Sequence, residues 1–393
     1  MRKLLILAMI MIAGSAMALP ASAQQGDTAP PGSGNSPTVI VAPELFRQAG
    51  EAAQAGNYQR ALLDYSLFIL LNPTDSQGYY ARALTYQLLE KPDASLDDLE
   101  QAIVFAPAIA EYTAQVYLNR ASLLLDQNDI DAALEDLDAS LGLAPDQPDA
   151  LLTRASVYAF QERYNDALDD YSRVITLAPD DTRAYSQRGV LNMRLGNLDE
   201  ALTDLSRAID INPENSDIYI NRALLYNLQN DFDNALTDLD SALDINPQNV
   251  GLYVFRGAIN TRANHPVDAA TDYLLWMDTT NTRQITPAED VPLNQPFVID
   301  MSQGWVYNFM FEAEEGQVLN VIANRLNNAE ADPLLVLVNE DRAALVADDD
   351  SGGDMNAAIY NFVIPEDGEY IVILGHALGG ATGQVGVLVG LDQ

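Results

Sequence analysis

The chain has 393 residues, of which 48% are hydrophobic, 57 are acidic and 20 are basic, so its formal charge is −37. A negative field of this size repels nucleic acid and anionic lipid surfaces, and neither is an expected partner. The sequence has no cysteine, which excludes disulfides, thiolate metal sites and cysteine nucleophiles.

The first predicted element is an export signal. Arg2 and Lys3 precede an apolar run that leads to an Ala-Ser-Ala site ending at Ala23, and this pattern is typical of a secretory signal peptide over residues 1–23. Residues 24–38 are rich in Gly, Pro, Ser and Thr and predict a disordered tether. After cleavage near Ala23 we expect a soluble protein that is periplasmic, on the cell surface or secreted.

Residues 39–281 follow a helical pattern that repeats. The period is marked by proline at intervals of 34, 38, 34, 34 and 34 residues, at Pro73, Pro107, Pro145, Pro179, Pro213 and Pro247. Each interval holds two amphipathic segments separated by turn residues. A period in this range predicts stacked helix–turn–helix units, each of which ends at its proline. Four extra residues near 108–114 are expected to lengthen the loop or the first helix of the third unit.

The second helix of each unit places a small residue four positions before a large one, so both lie on one helix face. The small residues are Ala61, Ser95, Ala133, Ala167, Ala201, Ala235 and Ala269. With the aromatic and the small residue of each first helix, this pattern resembles the tetratricopeptide repeat over seven units. The chain differs from the family in having arginine before the small residue and in lacking a closing proline in the last unit.

The resemblance implies an α-solenoid whose concave face binds a partner protein or an extended peptide. Carried over residue by residue, the partner-binding groove comprises Tyr80, Leu84, Leu118, Ser122, Leu152, Ser156, Ser186, Val190, Ile220, Leu224 and Val254. These rows hold neither lysine nor asparagine, so the family's carboxylate clamp is not expected. The alternative for any one of these side chains is that it only packs between repeats.

A ladder of opposite charges also recurs. Arginine occupies one position in six first helices, at Arg82, Arg120, Arg154, Arg188, Arg222 and Arg256. Aspartate occupies one position in seven second helices, at Asp64, Asp98, Asp136, Asp170, Asp204, Asp238 and Asp272. We expect the two rows to pair as carboxylate–guanidinium forks, either within a unit or between neighbours.

Residues 282–296 predict a linker, and residues 297–393 switch to short, partly alternating apolar runs that predict an all-β sandwich of about eight strands. This segment resembles the bacterial pre-peptidase C-terminal domain, which implies a jelly-roll-like module. The residues that carry the resemblance are Gly316-Gln317, Asp332-Pro333, the run 348–359, Pro365 to Tyr370, and Thr382-Gly383. The predicted fold class is therefore a multidomain α + β protein, a solenoid followed by a sandwich.

One acidic loop is a candidate calcium site. Asp348, Asp350 and Asp354, with glycines between them, imitate the alternating oxygen ligands of a calcium loop. The twelfth position is Ile359 rather than a bidentate glutamate, so the loop is not an EF-hand. The alternative is a solvated turn, in which Asp and Gly are common.

The sequence predicts no enzyme. His265 and His376 are the two histidines, neither has an evident cluster partner, and no nucleophile elbow, zinc-binding His pair or phosphate-binding loop occurs. We therefore expect an exported, non-catalytic scaffold that binds a protein or peptide on its repeat array. The alternative is that the sandwich binds a polysaccharide or an extracellular matrix, through aromatics such as Trp305 and Tyr307, with the array as a stalk. The identity of the partner and the oligomeric state stay open.

Overall fold

The computed structural model describes residues 42–279, 284–285, 289–290, 292–301, 305–326, 332–348, 356–376 and 383–392. The predicted signal peptide and tether lie outside these residues. The chain divides into two compact units, residues 1–187 and 188–393. Among the helices in the described ranges, none combines the length and apolarity that crossing a bilayer requires.

Seven consecutive helix–turn–helix repeats occupy residues 42–279. Their helices are α1 Ala42–Gln54, α2 Tyr58–Leu71, α3 Ser76–Leu88, α4 Pro92–Val104, α5 Ala110–Asp126, α6 Ile130–Leu143, α7 Pro148–Phe160, α8 Tyr164–Leu177, α9 Thr182–Leu195, α10 Leu198–Ile211, α11 Ser216–Leu228, α12 Phe232–Ile245, α13 Gly251–Arg262 and α14 Pro266–Thr279. The third repeat differs because α5 has 17 residues where α3 and α7 have 13. The four extra residues therefore extend its first helix, which is one of the two predicted alternatives.

The turn inside each repeat has one left-handed residue at the same position. These residues have φ between 56° and 80° and are Gly56, Glu90, Asn128, Glu162, Gly196, Asn230 and Asn264. A left-handed residue ends a helix by directing the next amide groups back to its last carbonyls. In the third and sixth repeats an aspartate then caps the second helix, as where the Asp129 carboxylate accepts a hydrogen bond from the Ala132 amide.

The helices of a repeat approach closely because the recurring alanines are small. Ala61, its five alanine equivalents and Ser95 are all 0% exposed. In the first repeat, Phe46 packs edge-on against Tyr65 and Phe68 with ring centroids 5.4 and 5.0 Å apart. In the last, a Cβ at Gly257 would lie 3.1 Å from the Tyr273 ring, so only glycine allows this approach without a shift.

The charge ladder pairs within repeats. Each of the six arginines forms a fork with the aspartate sixteen residues later, through Nε and Nη2, at distances of 2.5 to 3.1 Å. This settles the register that the sequence left open. Burial raises the pKa of the Asp98 carboxyl, and the Arg82 guanidinium opposes that rise. Because these aspartates are nearly inaccessible to water, each fork supplies the charge partner that a buried carboxylate requires.

Arg82, Arg154, Arg222 and Arg256 also use Nη1 to reach the preceding repeat. Arg154 donates to Asp138 at 2.7 Å and Arg256 to Asp240 at 2.6 Å. Arg82 and Arg222 donate to the hydroxyls of Ser66 and Ser206. One guanidinium group therefore joins two helices of its own repeat to the second helix of the repeat before.

Two antiparallel sheets of four main strands follow the helices. The strands are β1 Gln284–Ile285, β2 Glu289–Asp290, β3 Phe297–Met301, β4 Trp305–Ala313, β5 Val318–Arg325, β6 Pro333–Asn339, β7 Ala344–Asp348, β8 Ala357–Val363, β9 Gly368–His376 and β10 Gly383–Asp392. One sheet has the order β4-β9-β6-β7 and the other β3-β10-β5-β8. The two-residue strands β1 and β2 pair parallel to β4 and lie inside the segment predicted as a linker.

Strand β6 is buried on both faces. Leu335 and Leu337 belong to the core between the two sheets. Leu334, Val336 and Val338 face the other way and pack in one cluster with Tyr273, Trp276 and Met277 of α14. The last helical repeat and the β-sandwich therefore share a hydrophobic core, which explains why the run PLLVLV does not alternate with polar residues.

Candidate functional site: a pocket beside helix α7

The first compact unit contains a pocket of about 390 Å³, which we call the α7 pocket. Its lining residues are Leu125, Asn128, Ile130, Leu152, Thr153, Ser156, Val157, Phe160 and Gln187. Helix α7 supplies five of them, α9 supplies Gln187, and Leu125, Asn128 and Ile130 come from α5, the turn after it and the first residue of α6. A mainly apolar wall with a few polar groups is the usual composition of a ligand site.

Phe160 is the most accessible apolar side chain of the pocket. It is the last residue of α7 and is 73% exposed. Leu152, two turns earlier on the same helix, is only 7% exposed and is the least exposed leucine of the lining, which we call the apolar floor of the pocket. An aromatic ring held at a helix end with most of its surface in water can cover an apolar ligand side chain with little rearrangement.

The polar groups of the pocket centre on Ser156. Its hydroxyl donates to the Leu152 carbonyl at 2.9 Å and lies 3.2 Å from Gln187 Oε1. The Tyr171 hydroxyl lies 3.3 Å from the Ser156 hydroxyl, and burial raises the pKa of Tyr171. A ligand polar group can replace the contact with Gln187 and leave the contact with the Leu152 carbonyl in place.

The structure buries several of the predicted groove residues. In the first compact unit Tyr80, Leu84, Leu118 and Leu152 are at most 7% exposed, whereas Ser122, Ser156 and Ser186 are half-buried. Tyr80 packs edge-on against Tyr112 at 5.8 Å. Tyr80 and Leu84 belong to the buried hydrophobic cluster of the first repeats, and Leu118 is also buried. Of the predicted set, the structure brings Leu152 and Ser156 together in the α7 pocket.

In the second compact unit the predicted residues are more accessible. Val190 and Leu224 are each 36% exposed, and Ile220 is half-buried. Val254 is half-buried and packs against the cluster that joins α14 to the sandwich.

Sequence reasoning missed the other seven lining residues, among them Phe160, Thr153 and Gln187. A signal for Phe160 was available, because the equivalent residues of the third, fifth and seventh repeats are Asp126, Arg194 and Arg262. An aromatic residue at a position that is otherwise often charged indicates a role outside the packing of the repeat. Thr153 and Gln187 had no comparable signal.

A second pocket lies on the sandwich, between strands β3 and β4. This β3–β4 pocket has a volume of about 410 Å³ and is lined by Phe297, Val298, Ile299, Asp300, Tyr307, Asn308 and Phe309. The Tyr307 hydroxyl donates to the Asp300 carbonyl at 2.9 Å. The rings of Phe297 and Phe309 meet edge-on at 5.3 Å. Trp305 begins β4, and its side chain lies outside the described part of the chain.

The candidate calcium loop is described only at its first residue. Asp348 is 4% exposed, and its Oδ2 accepts a hydrogen bond from the Ala358 amide at 2.8 Å. Asp350 and Asp354 lie outside the described residues. Within the described ranges, no three His, Asp or Glu side chains come together as a metal site would require. His265 is exposed in the turn before α14, and the His376 side chain is not among those described.

Comparison with known proteins identifies the repeats. Sequence models of the tetratricopeptide repeat match residues 118–182, 156–226 and 216–249. A tetratricopeptide repeat and J domain-containing co-chaperone from Cryptococcus neoformans is 30% identical over 103 residues, which are 26% of this chain and 19% of that protein's length. Residues 118–249 therefore consist of tetratricopeptide repeats, and repeats of this kind form protein–protein interaction scaffolds.

Solved structures with similar helices have low sequence identity. A tetratricopeptide repeat protein from Parabacteroides merdae is 21% identical, with a TM-score of 0.48 over 61% of this chain and 93% of that one. The protein YrrB, described as having an unusual peptide-binding site, is 21% identical, with a TM-score of 0.41 over 51% of this chain and 97% of its own.

Proposed function

We propose that the protein is an exported, non-catalytic scaffold that binds a partner protein or peptide, and that the α7 pocket is its main binding site. The observation that carries the proposal is the exposed Phe160 ring above an apolar floor, with the Ser156 hydroxyl and the Gln187 amide at the rim. All the lining residues fall inside the segment that matches the tetratricopeptide repeat.

The composition of the pocket and its surroundings favours one class of ligand. The apolar wall fits an aliphatic or aromatic side chain, and the rim amide and hydroxyls fit a peptide backbone. Asp129 and Asp131, on either side of Ile130, are exposed, and the chain has 57 acids against 20 bases. An apolar segment flanked by lysine or arginine is therefore the favoured partner, because long-range attraction accelerates its association.

The mechanism is presentation on a rigid surface. The fork from Arg154 to Asp170 and the bond from Arg154 to Asp138 tie α7 to α8 and α6. A pocket that is fixed before the ligand arrives loses less conformational entropy on binding. No bond is made or broken, so the function consists of binding and holding the partner.

The substitution Phe160→Glu tests the pocket. Peptides selected from a random displayed library on the full chain are expected to bind the variant at least about tenfold more weakly, because an apolar contact is lost and an acid faces the ligand. Fluorescence anisotropy with labelled peptides measures the affinity. The residue is 73% exposed, so the helical content by circular dichroism should not change.

The matched control is Leu228→Glu. Leu228 is 59% exposed and occupies the position in α11 that Phe160 occupies in α7. This variant should bind the selected peptides as the wild type does. Equal affinity of all three proteins would reject the α7 pocket as the binding site.

We also propose that residues 1–23 are removed on export and that the sandwich is a pre-peptidase C-terminal-like accessory module, with calcium in the loop that begins at Asp348. In a second candidate function the sandwich binds polysaccharide or matrix. The observation that favours it is the aromatic lining of the β3–β4 pocket. If Tyr307→Ala abolished retention on such material while Phe160→Glu did not affect any binding, the second function would replace the first.

A further inference from the structure

Helix α2 exposes an apolar stripe. Leu63, Leu67, Leu70 and Leu71 are 55%, 41%, 75% and 58% exposed. Their spacing of four, three and one residues places them on one side of the helix. Contiguous apolar surface of this kind on an otherwise polar protein marks an interaction site.

The fold of the repeat does not require leucine at positions 63 and 67, whereas position 71 is apolar in the next five repeats as well. The residues equivalent to Leu63 in the next five repeats are Asp97, Glu135, Asp169, Thr203 and Thr237, and all of them are exposed. The residues equivalent to Leu67 are Gln101, Ala139, Arg173, Arg207 and Ser241. Since the other repeats place polar residues or alanine there, Leu63 and Leu67 serve a contact that the other repeats do not make.

We propose that this face binds a second copy of the chain, with the two α2 helices packed antiparallel about a twofold axis. The argument for a second copy as the occupant is the low charge of this helix. The only ionised side chains of α2 are Arg60 and Asp64, which pair with each other at 2.6 Å. The stripe is therefore a neutral surface on a chain with a charge of −37, where two copies can approach without opposing carboxylates.

The antiparallel arrangement adds a favourable electrostatic contact. Arg60 lies in the first turn of α2 and its side chain is 53% exposed. The last turn of α2 carries no basic residue. In the dimer each Arg60 lies near the carboxyl end of the partner's helix, where the helix dipole favours a cation. An isologous contact of this kind closes on itself and gives a dimer rather than a filament.

A single introduced cysteine tests the geometry, because the native chain has none. Leu67 lies in the middle of the stripe, so Leu67→Cys places two thiols near the twofold axis. Mild oxidation of the full chain should convert most of this variant to a disulfide-linked dimer on non-reducing gels, since a disulfide needs Cα atoms within about 7 Å. Gln101→Cys, at the equivalent position of the second repeat, is the matched control and should stay monomeric.

Analytical ultracentrifugation supplies the second measurement. The wild type is expected to dimerise in the micromolar range, and Leu67→Glu with Leu70→Glu should be monomeric there. Gln101→Glu with Thr176→Glu, at equivalent positions of other repeats, should dimerise as the wild type does. A wild type that stays monomeric into the millimolar range, or equal cross-linking of both cysteine variants, would overturn the proposal. Dimerisation only after removal of residues 1–41 would also overturn it and assign the stripe to that segment.

Discussion

At the scale of single residues, one guanidinium group organises each repeat. Arg222 shows the arrangement, because it holds Asp238 through two hydrogen bonds of 2.7 and 2.8 Å and donates a third to Ser206. The Asp238 side chain is 3% exposed, and removing the partner of a buried ion pair is strongly destabilising. Planar geometry matters, since lysine offers one point charge where arginine offers a fork.

The first repeat has no such arginine. Gln48 occupies the position of the ladder arginines, and Asp64 is paired instead with Arg60 of its own helix. Among the described residues, Asp64 Oδ1 has no hydrogen-bond partner although it is buried. This is an energetic defect, because an unsatisfied buried acceptor costs about 1–3 kcal/mol.

We predict that Gln48→Arg stabilises the protein by about 1–2 kcal/mol, because the new guanidinium supplies the missing fork. Urea denaturation followed by circular dichroism measures the free energy of unfolding. The reverse change, Arg222→Gln, should cost about 3 kcal/mol because it leaves Asp238 buried and unpaired. A gain from Arg222→Gln, or a loss from Gln48→Arg, would contradict this account of the ladder.

At the scale of elements, the turn inside each repeat has the same left-handed backbone position, but the residue type at that position differs between repeats. Five of the seven left-handed positions hold glycine or asparagine, which adopt this conformation readily. Glu90 and Glu162 hold it without that advantage, at φ of 56° and 60°. The helix pair on either side therefore imposes the conformation on these two glutamates.

We predict that Glu162→Asn raises the free energy of unfolding by about 0.5–1 kcal/mol, because asparagine tolerates the left-handed region better than glutamate does. Glu135→Asn is the control, since Glu135 is exposed within helix α6, where asparagine has a lower helix propensity. That control should destabilise slightly. Denaturant unfolding measures the free energy of unfolding of both variants. Equal changes in the two would show that the turn carries no strain.

The helices and strands were largely predictable from sequence, but the solvent accessibility of individual side chains was not. Proline spacing predicted the seven helix pairs, and the 34-residue period located the arginine and aspartate rows. The same period could not choose between pairing inside a repeat and pairing between repeats, because both register choices are periodic. The period also assigned Tyr80 and Leu84 to the binding face, although both are buried. A repeat pattern predicts which face of a helix a side chain lies on, but not how much of it is accessible to solvent.

The β-sandwich shows a similar limit. Apolar runs separated by turn residues predicted its strands, including PLLVLVN for β6. A continuous apolar run predicts burial on two faces but does not say what covers the second face. The covering residues are in α14. Trp276 and Met277 pack on strand β6, which begins more than fifty residues later in the chain.

At the scale of the second compact unit, residues 188–393, the shared core makes the last repeat and the sandwich one folding unit. A helical array normally needs a terminal repeat with a polar outer face. Here the outer face of α14 is apolar and is covered by Val336, Val338 and Ile373. The sandwich therefore acts as the cap of the helical array, in addition to any binding it performs.

We predict that Trp276→Ala costs about 3–5 kcal/mol and loosens the sandwich as well as α14, because Trp276 is 6% exposed between them. Hydrogen exchange measured by mass spectrometry should show faster exchange in residues 333–339. Leu205→Ala, which empties a fully buried site inside the fifth repeat, is the control and should leave exchange of that strand unchanged. Unchanged exchange in both variants would indicate two independent domains.

The burial of β6 on both faces limits where further repeats could be added to such a chain. A 34-residue module copied within the middle of the series brings its own arginine fork and left-handed turn, and it meets neighbours of its own kind on both sides. A module added after α14 would separate Trp276 from Val336. The apolar surfaces of α14 and of strand β6 would then both be exposed to water. Lengthening by duplication would keep this contact only if the new module entered the interior of the array, with the final helix pair and the following strands kept together.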